Sequence, residues 1–309
     1  MRVLIITPKY YPTISGNTES VARISQGLQA LGVQTTVITP AQYTKELEEN
    51  ADLVHIFHAT KGYVPTRKPY IVSLTGTDMN VHAFQEDKHE LLKESINNSQ
   101  HITTYEPRDF TQLTDIGCIL PPHTTIPKSV TLPESTFDVR THFNIPKEHT
   151  LFLLIAAIRE VKDPLYAVTE LEQLENKTLL ILGEVHDETL HQQIKRPWVI
   201  VGKLPHEHMY AAYEAADIVL NTSDSESCAN AVIEAMFMEK QLFVADVPGN
   251  QHVPKNRRFE KVQGALAKIL ETLPPINYGG KFPTQEAEAR AYKKVYEHVM
   301  RSLSHSAAT

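Results

Sequence analysis

Short apolar, β-branched runs recur along this chain, separated by helix-like stretches, and they come in two series. The first comprises Val3–Thr7, Gln34–Ile38, Leu53–Phe57, Tyr70–Leu74, His101–Thr104 and Cys118–Leu120. The second comprises Leu151–Ala156, Leu179–Leu182, Trp198–Val201, Ile218–Asn221 and Leu242–Ala245. Runs this short and this continuously apolar read as strands covered on both faces. The stretches between them have helical periodicity: Val21, Ile24, Leu28 and Leu31 share one face, with Gly32 at the C-terminal end. Strand alternating with helix is the pattern of a parallel sheet covered by helices. Helices are likewise expected over Pro164–Leu174, His206–Ala216, Ala229–Glu239, Val262–Leu273 and Thr284–Leu303.

Between the series, Pro121 to Thr150 holds five prolines and few apolar residues, and reads as a connection. A chain of 309 residues is long enough for two cores. The expected organisation is an α/β protein with two Rossmann-like domains, 1–145 and 146–280, facing a central cleft. A closing helix over 281–309 is expected to pack back toward the first domain.

The formal net charge of −7 argues against nucleic acid, whose phosphates require a basic surface. Residues 1–145 hold 12 Lys and Arg against 15 Asp and Glu, so charge does not support docking of this part to anionic lipid. Cys118 and Cys228 are isolated, which fits a reducing compartment and a cytoplasmic protein. No apolar run reaches the roughly 18 residues of a membrane span, and Met1–Thr7 reads as a first strand rather than a leader.

Ligands of open α/β sheets bind at the C-terminal ends of the strands. The turn after Ile218–Asn221 is the richest such end. Glu226 lies in it, and Glu234 follows after seven intervening residues, about two turns into the expected helix. Eight helical positions separate the two by ~12 Å, too far to share a proton or a metal. The spacing suits a ligand held at both ends with an anionic middle over the helix N-terminus, as in a nucleoside-diphosphate sugar. Arg159 and Lys162 follow the first strand of the second series, where they are placed to neutralise a diphosphate. Taken alone they also fit a solvated loop.

The other strand ends are less specific. Gly16-Asn17 opens the first helix, and Thr75-Gly76-Thr77-Asp78 follows Tyr70–Leu74. Each fits a sugar-binding turn or a plain capped turn. Gly183-Glu184 and Lys203-Leu204 stand where backbone groups would hold a nucleobase edge, or as ordinary turns. Most of the fifteen histidines read as surface residues, while His55, His58, His82 and His123, near strand ends, are candidates for a cleft. No metal-binding motif is present, so neither a metal nor another cofactor is expected. Cys228 has no base beside it in sequence and reads as a packing or backbone residue.

Taken in order, these segments resemble the retaining GT-B glycosyltransferases of family 4, over nearly the whole chain. Tyr11-Pro-Thr-Ile-Ser-Gly-Asn17 is similar to the family's glycine loop, Val161-Lys-Asp163 to its phosphate-binding lysine segment, and Met209 to Asp217 followed by Glu226 and Glu234 to its donor site. Asp246-Val-Pro-Gly-Asn250 is similar to the loop that follows. The resemblance implies that Glu234 binds ribose hydroxyls and Glu226 the transferred sugar. Backbone groups of Ser227, Cys228, Ala229 and Asn230 would cradle sugar and phosphate. Lys162 with Arg159 would hold the pyrophosphate, and Lys203-Leu204 the base. It further implies a nucleotide-sugar donor, UDP-linked, transfer of a hexose-type sugar with retention, and no metal. The acceptor is unassigned.

The chain departs from many relatives at Thr75, where they carry His, at Ala157, where they carry Arg, and at Ser227-Cys-Ala229, where they carry Gly-Phe-Gly. That variant pattern is closest to the glycosyltransferase-1-domain-containing type. It is also similar to the selenosugar synthases, so transfer to an inorganic nucleophile stays open, as does a non-catalytic nucleotide-binding protein of the same fold.

Overall fold

The computed structural model describes residues 1–13, 15–280 and 282–306. The strands are β1 Arg2–Ile6, β2 Gln34–Ile38, β3 Leu53–Phe57, β4 Tyr70–Ser73, β5 His101–Thr104, β6 His123–Thr125, β7 Thr150–Ile155, β8 Lys177–Leu182, β9 Val199–Gly202, β10 Ile218–Asn221, β11 Gln241–Ala245 and β12 Arg258–Phe259. The helices are α1 Gly16–Ala30, α2 Lys45–Glu49, α3 Thr77–Asn80, α4 Glu86–Asn97, α5 Arg108–Asp115, α6 Val139–His142, α7 Pro164–Leu171, α8 Glu188–Gln193, α9 Met209–Ala215, α10 Asn230–Phe237, α11 Ala265–Thr272 and α12 Gln285–Ser306. They form two compact units: Met1–Ser129 with Phe282–Thr309, and Val130–Lys281.

The first unit is built on a parallel sheet of order β2-β1-β3-β4-β5-β6. Side chains alternate across a strand, so β3 feeds two cores. Val54 and Ile56 enter one, with Leu4, Val72, Leu92 and Ile102. Leu53 and Phe57 enter the other, with Val21, Ile24, Leu28, Tyr292 and Tyr296. The second core joins α1 to α12. A Cβ on Gly27 would come within 2.8 Å of the Ala289 Cβ, so the two helices touch nearly backbone to backbone there.

Polar groups inside this unit are matched. His55 is fully buried and bonds Tyr296 Oη and Ser73 Oγ, each at 2.7 Å. Glu288 accepts from Arg23 Nε at 2.8 Å, from Tyr105 Oη at 3.1 Å and from Ser129 Oγ. Buried charge of this kind is tolerated only when paired and hydrogen-bonded.

One expected strand is displaced. Cys118–Leu120 forms no ladder, and the edge strand is His123–Thr125. Pro121 and Pro122 lack amide hydrogens and cannot donate to a ladder. Pairing therefore begins with Ile102 N donating to Pro122 O at 3.0 Å. Four of the fifteen histidines lie inside the first unit. His55, His58, His82 and His101 are buried, because at strand ends and inside strands a neutral imidazole finds hydroxyl partners. His123 is exposed.

The second unit has a parallel sheet of order β12-β11-β10-β7-β8-β9. Strand β7 lies between β8 and β10, so chain order reverses at the β7/β10 boundary. That is the topological switch point, where successive connections leave to opposite faces and open a crevice at the strand ends. Phe152, Leu154, Leu179, Ile181, Leu220 and Phe243 fill the core on one face. Their alternates Leu151, Leu153, Leu180, Val219 and Leu242 are buried as well. The register pairs Leu154 with Leu220, so both strands end at the same level.

Candidate functional site

The loops after β7 and β10 meet at that switch point. Thr222 Oγ1 donates to Lys162 O at 3.0 Å, and Asp224 N donates to Val161 O at 2.9 Å. This stitching brings Lys162 and Glu226 together across 64 residues of chain, with Lys162 Nζ 2.5 Å from Glu226 Oε1. Glu226 is 9% exposed. Asn221 Nδ2, at the last position of β10, donates to the same carboxylate oxygen at 3.1 Å. Burial pushes the Glu226 carboxyl up. The charge and hydrogen bond of Lys162, with Ser223 and Asn221, outweigh it and hold the group below the ordinary carboxylate value.

A third loop braces the pair. Pro248-Gly249-Asn250 follows β11, and a Cβ on Gly249 would lie 2.0 Å from Glu226 O. Only glycine permits that approach. Asn250 is fully buried and donates to Asn221 Oδ1 at 3.1 Å, while Asn221 donates to Glu226.

The helix carrying Glu234 starts later than expected, and this corrects the sequence reading of the spacing. Ala229 is the N-cap and α10 begins at Asn230. Residues 226–229 are therefore not helical, and Glu234 lies just over one turn inside, so the axial separation worked out from eight helical positions does not apply. No side chain caps α10. Ser227, Cys228, Ala229 and Asn230 are half-buried along its entrance. Glu234 accepts from Tyr213 Oη at 2.7 Å, and the same hydroxyl bonds Ala231 O at 3.2 Å. Tyr213 is buried beside this carboxylate, and both effects push its phenol well above its ordinary range.

Other expected residues lie elsewhere. Arg159 is exposed, and its guanidinium makes no hydrogen bond or ion pair among the described residues. Lys203 is exposed and pairs with Glu184 at 3.1 Å, and Leu204 beside it is half-buried. Gly183 is a close-approach glycine, since a Cβ there would lie 2.1 Å from Ala156 O.

The remaining expected residues belong to the first unit. Gly16 and Asn17 open α1, whose N-cap is Ser15 accepting from Thr18 N at 3.1 Å. In the Thr75–Asp78 turn the carboxylate of Asp78 is fully buried. It accepts from Thr75 N at 3.0 Å, Gly76 N at 2.8 Å and Ala59 N at 3.0 Å. Asp78 thus organises the turn, Gly76 takes a φ of 103° that favours glycine, and Thr77 is exposed. Thr75 Oγ1 is buried without a partner.

Sequence reasoning gave no role to Asn221, Ser223, Gly249, Asn250 or Tyr213, although Gly249 and Asn250 lie in the Asp246–Asn250 loop that the resemblance singled out. Asn221 did carry a signal, as a polar residue closing an apolar run. Tyr213 carried one only as part of the Met209–Asp217 segment of the resemblance, since by itself it sits inside an ordinary helical pattern.

Residues 148–271, which hold Lys162, Glu226, Glu234 and their partners, match the family described as Glycosyl transferases group 1. The chain is 23% identical over 274 residues to glycosyltransferase 1 domain-containing protein 1 of Xenopus tropicalis, covering 78% of each. Among solved structures it is similar to sucrose-phosphate synthase of Thermosynechococcus elongatus. The TM-score there is 0.80 at 15% identity, over 97% of this chain and 99% of that one. It is also similar to Anabaena Alr3699/HepE in complex with UDP-glucose, with a TM-score of 0.73 at 15% identity over 99% and 100% of the two chains. Two six-stranded parallel sheets flanked by helices are the GT-B architecture these structures share with it. The second unit is thus a glycosyl transferases group 1 domain, and the chain is a glycosyltransferase of GT-B fold.

Proposed function

We propose that the chain transfers a hexose-type sugar from a UDP-linked donor, with retention of configuration and without a metal, to an acceptor recognised by its first unit. The observation that carries this reading is the Lys162–Glu226 pair at the β7/β10 switch point, beside the uncapped start of α10. Lys162 supplies positive charge where a diphosphate leaves, and the α10 N-terminus adds its dipole. In this reading Glu226 exchanges Lys162 for sugar hydroxyls when donor binds, and Glu234, held by Tyr213, receives the ribose. Arg159, whose guanidinium is uncommitted, is placed to join Lys162 on the pyrophosphate. Backbone groups of Ser227 to Asn230 line the phosphate, and Lys203-Leu204 the base. Gly16 and Asn17 serve the donor, and Thr75–Asp78 the acceptor or sugar.

The Anabaena protein bound to UDP-glucose favours a UDP-sugar. No described helix is long and apolar enough to cross a membrane. Both cysteines are free, which supports a cytoplasmic setting.

Calorimetric titration with UDP and UDP-glucose tests the donor assignment. Glu234→Gln should weaken UDP binding at least about tenfold, the scale of a lost charge-assisted hydrogen bond. A folded wild-type protein that binds no common nucleotide sugar would sink the proposal.

A further inference from the structure

Beyond the strand ends already described, a single lysine links the two loops that carry Lys162 and Glu226. Lys261 follows β12, on the far edge of the sheet. Its Nζ lies 2.5 Å from Asp163 Oδ2 and is also paired with Asp224 Oδ1. Asp163 is the residue after Lys162, and Asp224 stands two before Glu226. The ammonium therefore bridges the β7 and β10 loops close in sequence to the Lys162–Glu226 contact. Its side chain is only 18% exposed.

The bridge has a firm footing at both ends. Asp163 adopts φ 38°, a left-handed conformation that a residue with a Cβ holds only when its surroundings fix it. Asp163 Oδ1 accepts from Tyr166 N at 3.1 Å and caps α7, so Lys261 on Oδ2 completes the fixation. The segment bearing Lys261 is docked on α7 in its turn. Tyr166 stacks on Phe259 at 5.6 Å and donates to Val262 O at 3.0 Å. Glu170 accepts from Gly264 N at 2.8 Å and from Leu266 N at 3.0 Å, capping α11. Lys261 is thus held on a packed support while it joins the β7 loop, whose Glu160–Lys162 forms a single 3-10 turn, to the irregular β10 loop.

We propose that Lys261 is a positioning residue for the donor site: it sets the distance between Lys162 and Glu226 by clamping the loops that carry them. The inference rests on the donor reading above. Without the clamp, two carboxylates, Asp163 and Asp224, face one another without their shared cation. Their repulsion opens the β7 loop away from the β10 loop. Lys162 then sits wrongly for the leaving diphosphate, although every donor-contacting residue is still present.

Lys261→Met and Lys261→Arg separate this from a merely structural role. UDP release from UDP-glucose should show kcat down about tenfold or more in K261M with KM changed less than about threefold, because misplacement of a charge acts on the transition state. K261R, which keeps the cation, should recover most of the rate. A second readout needs no donor. In protein labelled with ¹³C at glutamate carboxyls, the Glu226 signal, assigned through Glu226→Gln, should titrate about one pH unit higher in K261M as Lys162 moves off. K261R should restore it. Unchanged Glu226 titration in K261M overturns the proposal, as does a K261R no better than K261M. A wild-type protein that neither binds nor cleaves any nucleotide sugar overturns the donor reading alone, and the Glu226 titration still decides whether Lys261 sets the pair.

Discussion

Replacing Lys162 by Met should reverse the pH dependence of the second unit's stability. In the wild type Glu226 is 9% exposed and Lys162 17%, and they touch at 2.5 Å. Removing one partner of a fully buried pair costs about 3–5 kcal/mol. Here Asn221 and Ser223 still bond the carboxylate and the site is not sealed, so we expect about 2–4 kcal/mol for Lys162→Met at pH 7.5. Glu226→Gln should cost about 1 kcal/mol, since the freed ammonium reaches solvent. The double variant should cost less than the sum by about 1.5 kcal/mol or more, because no charge is left stranded.

The pH dependence gives the sharper test. With its folded-state value lowered, wild-type Glu226 contributes stability above the ordinary carboxylate value, and that contribution is lost as pH falls through the folded value. In Lys162→Met burial should outweigh the remaining bonds from Asn221 and Ser223, so the folded value is expected to rise above the unfolded one. The folded state then binds the proton first, and stability increases on acidification through that window, at up to about 1.4 kcal/mol per pH unit. Urea titrations followed by Trp198 fluorescence read this out. Trp198 is the chain's single tryptophan and belongs to the second unit. Additivity of the two substitutions within about 0.5 kcal/mol, or an unchanged slope with pH, refutes the coupling.

Three further outcomes are expected. Tyr213→Phe should weaken UDP binding by about 1 kcal/mol, near fivefold by calorimetry, through release of Glu234. Gly249→Ala should cost about 2–4 kcal/mol in the same urea assay, because the new methyl would meet Glu226 O at 2.0 Å and the backbone must move. His55 is pushed by burial from an ordinary 6.5 to about 3, so between those values the unfolded chain binds a proton that the folded one refuses. Stability of the first unit should fall on acidification through that window by up to about 1.4 kcal/mol per pH unit. His55→Gln should flatten that slope in hydrogen exchange of β3.

The sheets were legible because fully covered strands leave unbroken apolar runs, as in Leu53–Phe57 and Leu151–Ile155. β12 was not, since two residues, Arg258 and Phe259, cannot form a run. The glutamate pair was legible as spacing, but the late start of α10 was not. Ala229, a good helix former, gave no sign that it would serve as an extended N-cap. The partners of Glu226 come from three strand exits, and long-range convergence of this kind leaves no local pattern. Lys162 could be named from its own loop, whereas the bond of Asn250 to Asn221 and the bridge made by Lys261 became visible only once β11 and β12 had been placed beside β10.

The first unit is assembled from two stretches of chain, Met1–Ser129 and Phe282–Thr309, and the second from one. During synthesis the second unit is therefore available whole before α12 has been made. Until then Arg23 lacks Glu288, His55 lacks Tyr296, and the apolar face of α1 is open to water. The usual order, with the N-terminal body folding first, is inverted. The second unit can be complete on the ribosome while its N-terminal companion waits for α12. In that interval the exposed α1 face is the surface of the nascent chain most in need of a chaperone.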